Sequence, residues 1–134
     1  IGLGKAIEMA YNNLAEHTAY ISDLRLYMKS LLEQAIPGVA FNCSENGLYT
    51  VLNVNLPEIE NPDMLLFSLD MAGVACSGGS ACSAGSNKGS HVLAELKKKN
   101  AGPNIRFSFC KYTTKEEIAY AVEQLSKVYK PVLA

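Results

Sequence analysis

Apolar residues recur along the first third of the chain at intervals of mostly four and three residues. The series comprises Leu3, Ile7, Ala10, Leu14, Ile21, Leu24, Met28, Leu31 and Ala35. This spacing places apolar side chains on one face of a helix. We predict one long amphipathic helix over residues 3 to 35, packed on a sheet or a neighbouring domain. A coiled coil shares the spacing, but the flanking charges lack the pattern that a coiled coil needs.

The period changes to two after Pro37-Gly38, a pair that ends helices. Residues 39 to 43 and 49 to 56 have the composition of strands, and Asn46-Gly47 between them is a strong turn signal. We therefore predict a β-hairpin, with Cys43 as a buried structural thiol in or beside its first strand.

Two short helices and a short strand are predicted in the middle of the chain. Residues 61 to 73 favour a helix, because Asn61 can cap it and Pro62 suits the first helical position. Residues 74 to 77 favour a short strand that leads into a loop of glycine, serine and alanine. Ser90 can cap the second short helix.

The last third of the chain predicts a strand followed by a helix. In "NIRFSFCKY" two sets of residues alternate, Ile105, Phe107 and Phe109 on one face and Arg106, Ser108 and Cys110 on the other. Thr114 and Glu117 form a capping box at the start of the last helix, and Pro131 ends it.

The element order α-β-β-α-β-loop-α-β-α predicts an α+β fold. We expect a small, mostly antiparallel sheet with helices packed on one face, led by the long N-terminal helix. The 134 residues, 49% of them hydrophobic, suffice for one domain with a core. Because the chain starts without Met and already at helical periodicity, we expect residues 1–134 to be a single domain of a longer protein.

The net charge and the cysteine content exclude several classes of function. A net charge of −1 argues against a nucleic-acid surface, and the basic run at residues 97 to 99 suits a helix C-terminus. The sequence shows neither a signal peptide nor an apolar run of membrane-spanning length. Cysteines stand at positions 43, 76, 82 and 110 without a C-x-x-C pair. We therefore predict reduced thiols in the cytoplasm, no metal site and no membrane or nucleic-acid partner.

Cys82 is the first candidate for chemistry. Gly78, Gly79 and Gly85 surround it, together with small serine and alanine residues. Glycine widens the backbone's range of conformations, so the composition predicts a mobile loop that presents a thiol to solvent. A linker that happens to contain cysteine has the same composition. Cys76, which follows two small apolar residues, is expected to point into the sheet.

Arg106 is the second candidate. The chain has two arginines, and Arg25 belongs to the predicted long helix, whereas Arg106 stands among apolar residues in a strand. A charge there is costly unless it is paired, and the planar guanidinium matches a carboxylate with two parallel hydrogen bonds. The position therefore indicates either an anionic ligand or a structural salt bridge.

Four segments in order resemble the C-terminal part of cysteine desulfurases, which are pyridoxal-phosphate enzymes of aminotransferase class V. They are GSACS at 79–83, SHVL at 90–93, IRFS at 105–108 and TKEEI at 114–118. The resemblance extends over essentially the whole chain and is to the branch of the family with a long mobile loop. It implies the small domain of a fold-type I enzyme, with the large cofactor-binding domain outside these residues.

The resemblance also implies a mechanism and site residues. The Cys82 thiolate would attack the sulfur of L-cysteine, giving L-alanine and a persulfide on the enzyme, while Arg106 would hold the substrate's carboxylate. Pyridoxal 5'-phosphate would act as the electron sink in the full-length enzyme. Its anchoring lysine is expected outside this chain, which would hold no cofactor-binding residue and be inactive alone.

The implied partners are L-cysteine, a second copy of the full-length enzyme in a homodimer, and a sulfur acceptor. The acceptor would be an iron–sulfur scaffold or a thiolation protein. Two alternatives stay open: a related class V lyase or aminotransferase, such as a selenocysteine lyase, and a cofactor-free module for thiol relay or protein interaction.

Overall fold

The computed structural model of the chain describes residues 1–44, 47–78 and 102–131. The helices in these residues are α1 (Gly2–Asn12), α2 (Leu14–Ala35), α3 (Leu65–Met71) and α4 (Lys115–Val128), with a 3-10 turn at Pro62–Met64 before α3. The strands are β1 (Ala40–Phe41), β2 (Val51–Asn55) and β3 (Asn104–Ser108). None of the described helices has both the length and the apolar character needed to cross a bilayer.

The predicted α+β fold is confirmed in the described residues. β2 lies between β1 and β3, and both pairings are antiparallel. Leu52 is paired with Phe107 and Val54 with Ile105, so these four apolar side chains share one face of the sheet. They form a single core with the buried residues of α2, α3 and α4. Burying a side chain of this size contributes about 1.5–3 kcal/mol, which holds the helices on that face.

The prediction of a single N-terminal helix is wrong, because the helix is interrupted at Asn13. The Asn13 side-chain Nδ2 donates to the Met9 carbonyl oxygen at 2.7 Å, and its backbone leaves the helical region at φ −105°, ψ 5°. An asparagine side chain that bonds nearby backbone offers an alternative to the helical ladder. α1 buries no residue, and the core is reached only from Ile21 onward in α2.

The hairpin is confirmed, but the prediction for Cys43 is wrong. β1 and β2 pair antiparallel, and the Asn42 N–H donates to the Asn53 carbonyl at 2.9 Å just beyond β1. The first strand therefore ends before Cys43, which is exposed. Asn46 of the predicted turn lies outside the described residues.

The start of α4 matches the prediction closely. The Glu117 N–H donates to Thr114 Oγ1 at 3.2 Å, and the Thr114 N–H donates to Glu117 Oε2 at 2.9 Å, which completes the capping box. Gly73, at φ 76°, follows α3 in a conformation that favours glycine. The helix predicted to begin at Ser90 lies outside the described residues.

Candidate functional site

The sheet face opposite the helices carries polar side chains on β3. Ile105 and Phe107 are buried in the core, whereas Arg106 and Ser108 are exposed, as the alternation of the sequence predicts. Because neighbouring strand residues project to opposite faces, the same alternation that fixes the core sets Arg106 on the other face.

A row of four residues runs across the strands at Arg106; we call Asn42, Asn53, Arg106 and Ser77 the polar row. Asn42 is joined to Asn53 by the backbone bond beyond β1, and Asn53 is the register partner of Arg106. On its other side, the Arg106 N–H donates to the Ser77 carbonyl at 2.6 Å, and the Arg106 carbonyl accepts from the Ser77 N–H at 3.2 Å. Directly opposed residues project to the same face, so the row presents two amides, a guanidinium and a hydroxyl together.

Residues 74 to 77 do not form the predicted strand. Their pairing is limited to the isolated antiparallel bridge between Ser77 and Arg106. This bridge fixes the backbone where the glycine- and serine-rich segment begins, directly beside the strand that carries Arg106.

The amides of the polar row are oriented by a hydrogen-bond network. Asn42 Nδ2 donates to Asn53 Oδ1 at 2.9 Å and to Asn104 Oδ1 at 2.7 Å. Both hydrogens of the Asn42 amide are thereby used, and both acceptor oxygens point toward Asn42. The three side chains are half-buried, which strengthens the bonds relative to exposed ones.

Arg106 has no carboxylate partner among the residues that the structure describes. The ion pairs found there join Lys5 to Glu8, Lys29 to Glu33, Lys115 to Asp23 and Lys127 to Glu123. Of the two interpretations of Arg106, the structural salt bridge thus finds no support in these ranges. The guanidinium is exposed and able to receive an anion.

The described thiols differ in environment. Cys76 packs half-buried against the core, and burial, with a further contribution from Asp70, raises the pKa of its thiol to about 11. Cys110 is exposed; the Tyr112 N–H and then the Thr113 hydroxyl bond its sulfur and lower its pKa below the ordinary value. Because the thiolate is the nucleophile, Cys76 is poorly suited to attack a substrate at neutral pH.

Cys82, the predicted nucleophile, lies outside the described residues. The two ends of the segment that contains it are closely packed. A Cβ on Gly78 would lie 2.6 Å from Leu66 Cδ1, and a Cβ on Gly102 would lie 2.5 Å from the Leu56 carbonyl oxygen. Only glycine fits these contacts without a shift of its neighbours.

The described residues do not fit the anchoring of pyridoxal phosphate. A lysine that forms a Schiff base is activated by desolvation or by a nearby cation. The lysines of the described ranges are instead solvent-accessible, and four of them pair with carboxylates on the surface. In the same ranges no three His, Cys, Asp or Glu residues cluster as metal ligands would.

Sequence reasoning missed Asn42, Asn53 and Ser77. A signal was present in "VLNVN", since asparagine is depleted in strands and Asn53 and Asn55 alternate with apolar residues there. The bridge between Ser77 and Arg106 could not be predicted, because it joins residues that are far apart in the sequence.

The sequence model of the family described as aminotransferase class-V matches residues 1–120. The chain belongs to this family. Among curated relatives of this class V chain, cysteine desulfurase IscS of Dictyoglomus turgidum is 36% identical over 131 residues, covering 96% of the chain and 33% of the relative. Cysteine desulfurase of Nostoc sp. is 33% identical over 141 residues, covering 100% of the chain and 34% of the relative.

Solved structures agree with this assignment. A NifS-like protein superposes with a TM-score of 0.72 at 27% identity, covering 92% of the chain and 31% of that protein. The NifS-like protein of Rickettsia africae, at 21% identity and a TM-score of 0.74 over 94% of the chain and 32% of that protein, shares the fold. The class V chain thus spans about a third of the length of the relatives that it matches.

Proposed function

We propose that the chain is the C-terminal domain of a cysteine desulfurase. Cys82 takes up the sulfur of L-cysteine, and Arg106 binds the carboxylate of that substrate. The rest of the enzyme, including its large domain, lies outside residues 1–134. The relatives named cysteine desulfurase, and the motifs around Cys82 and Arg106, support this assignment.

The observation that carries the proposal is the backbone bridge between Ser77 and Arg106. Cys82 follows Ser77 by five residues, so covalent geometry keeps the two Cα atoms within about 17 Å. Ser77 and Arg106 form a hydrogen-bonded antiparallel pair, with Cα atoms about 5.5 Å apart. The chain between Ser77 and Cys82 is therefore long enough for the Cys82 thiol to reach a substrate whose carboxylate is held at Arg106.

The overall reaction balances with this thiol as the acceptor. The Cβ–S bond of L-cysteine breaks, an S–S bond forms on Cys82, and the substrate carbon gains a proton, so that L-alanine leaves. The two-step use of a covalent sulfur carrier is nucleophilic catalysis. Pyridoxal 5'-phosphate, held by the rest of the enzyme, supplies the electron sink. The persulfide then passes to an iron–sulfur scaffold or a thiolation protein, from a homodimeric cytoplasmic enzyme.

The test is alanine formation from L-cysteine by the full-length enzyme. We expect Arg106→Ala to raise KM for L-cysteine by roughly 10- to 100-fold, because a hydrogen bond to a charged group is lost. Arg106→Lys is expected to restore only part of the affinity, since an ammonium lacks the bidentate fork.

The outcomes separate the proposal from its alternatives. If the wild-type enzyme releases no alanine from L-cysteine but acts on selenocysteine or cysteine sulfinate, the protein is a different class V enzyme. An unchanged KM in Arg106→Ala would remove the carboxylate-binding role of Arg106.

A further inference from the structure

We infer that Asn53 is a second binding residue for the substrate's carboxylate, beside Arg106, and that Asn42 orients it. This inference rests on the proposed function, because it concerns the same anion at the same place. It assigns a role to two residues of the polar row other than the arginine.

The register of β2 and β3 brings Asn53 and Arg106 together. The backbone N–H and carbonyl of Arg106 are both used by Ser77, on the side away from β2. Asn53 and Arg106 are therefore a non-hydrogen-bonded antiparallel pair, in which the Cα atoms approach to about 4.5 Å. Side chains in such pairs lie closer together than in hydrogen-bonded pairs, so both cover one patch of the sheet.

The polarity of the Asn53 amide is set by Asn42. Asn53 Oδ1 accepts from Asn42 Nδ2 at 2.9 Å, which turns the acceptor arm of the amide toward the Asn42 side chain. The other arm of the amide carries the two hydrogens of Nδ2, and because Asn53 is the register partner of Arg106, these donors lie on the same sheet face as the guanidinium. Within residues 1–44, 47–78 and 102–131, no acceptor bonds this Nδ2.

The patch thus gathers hydrogen-bond donors. The guanidinium offers five N–H groups and Asn53 offers its amide hydrogens. None of the described carboxylates forms an ion pair with Arg106. An ionised carboxylate has about four lone-pair sites on two oxygens, so it can accept from both side chains at once. An aspartate at position 53 would instead pair with Arg106 and repel the substrate.

The experiment measures competitive inhibition of the full-length enzyme by L-alanine and by L-alaninamide, which lacks the negative charge. We expect Asn53→Ala to raise the inhibition constant of L-alanine about tenfold or more, and that of L-alaninamide less than about threefold. Asn53→Asp is nearly isosteric and is expected to raise the L-alanine constant further. Asn42→Ala is expected to have a smaller effect in the same direction.

Asn61→Ala is the matched control, because this exposed asparagine makes no side-chain cap bond; both inhibition constants should stay at wild-type values. Equal changes for the two inhibitors would mean a merely structural role, and an unchanged L-alanine constant in Asn53→Ala or Asn53→Asp would overturn the inference. If Asn53→Ala does not fold, Asn53→Asp alone decides. Failure of the wild type to form alanine from L-cysteine would instead overturn the proposed function.

Discussion

The reactivity of Cys76 can be predicted from its surroundings. Burial, followed by the nearby Asp70 carboxylate, raises the pKa of this thiol from its ordinary 9.0 to about 11. At pH 8 an ordinary thiol is about 10% thiolate, whereas a thiol of pKa about 11 is about 0.1% thiolate. We therefore expect alkylation of Cys76 to be about 100-fold slower than that of an ordinary cysteine, with partial burial slowing it further.

The assay is a pulse of iodoacetamide on the folded full-length protein, followed by proteolysis and tandem mass spectrometry that resolves Cys76 from Cys82. Cys110 serves as the internal reference, because it is exposed and its pKa is lowered. Between pH 8 and pH 10 the rate at Cys76 should rise about tenfold per pH unit.

Removing the charge of Asp70 isolates its contribution to the raised pKa of Cys76. Asp70→Asn should lower the pKa of Cys76 and speed its alkylation, while Asp63→Asn, an exposed acid in the preceding 3-10 turn, should leave it unchanged. Alkylation of Cys76 at pH 8 within a few-fold of Cys110 would refute the reasoning. It would also restore Cys76 as a rival to Cys82 for the role of nucleophile.

Three further predictions concern stability of the full-length protein in urea. Leu24→Ala, at a fully buried position in α2, should cost about 2–5 kcal/mol, whereas Leu26→Ala, 63% exposed on the same helix, should cost little; equal losses would contradict the described core. Thr114→Ala removes the cap of α4 and should cost about 1 kcal/mol, an expectation that an unchanged midpoint would contradict. Gly102→Ala forces a Cβ against backbone and should cost about 1–3 kcal/mol, unlike Gly4→Ala, which meets nothing within 4 Å.

Patterns that depend on local chemistry were predictable from the sequence. The alternation in β3 placed Ile105 and Phe107 in the core and Arg106 on the other face, and the capping box at Thr114 has the expected bonds. Both follow from the side-chain period of a strand or from bonds between residues three apart.

Two of the failed predictions, for the N-terminal helix and for Cys43, share a cause: periodicity does not show which contacts an element makes. The apolar spacing continues through Asn13, yet a side-chain bond to Met9 breaks the helix, and α1 buries nothing. The composition around Cys43 suits a strand, but pairing with β2 stops before it, so the thiol is exposed. Helix breaks and strand ends are decided by such competing contacts.

The assembly of the polar row could not be predicted from the sequence. Asn53 meets Arg106 only through the register of β2 and β3, which are far apart along the chain, and Ser77 meets Arg106 through an isolated bridge. A shift of one residue in that register would turn Asn53 to the core face. Arg106 was identified from its unusual place in an apolar strand, whereas Asn53 and Ser77 could be identified as its neighbours only in the structure.

The most direct test is to find which cysteine receives the sulfur. The full-length enzyme is incubated with L-cysteine that carries an isotopic label on its sulfur. Persulfides are trapped with iodoacetamide without reduction, and the labelled sulfur is mapped to individual cysteines by mass spectrometry. The account predicts label on Cys82 in the wild type and in Cys76→Ser and Cys110→Ser, and its loss in Cys82→Ser. Label on Cys76 or Cys110, with none on Cys82, would contradict it.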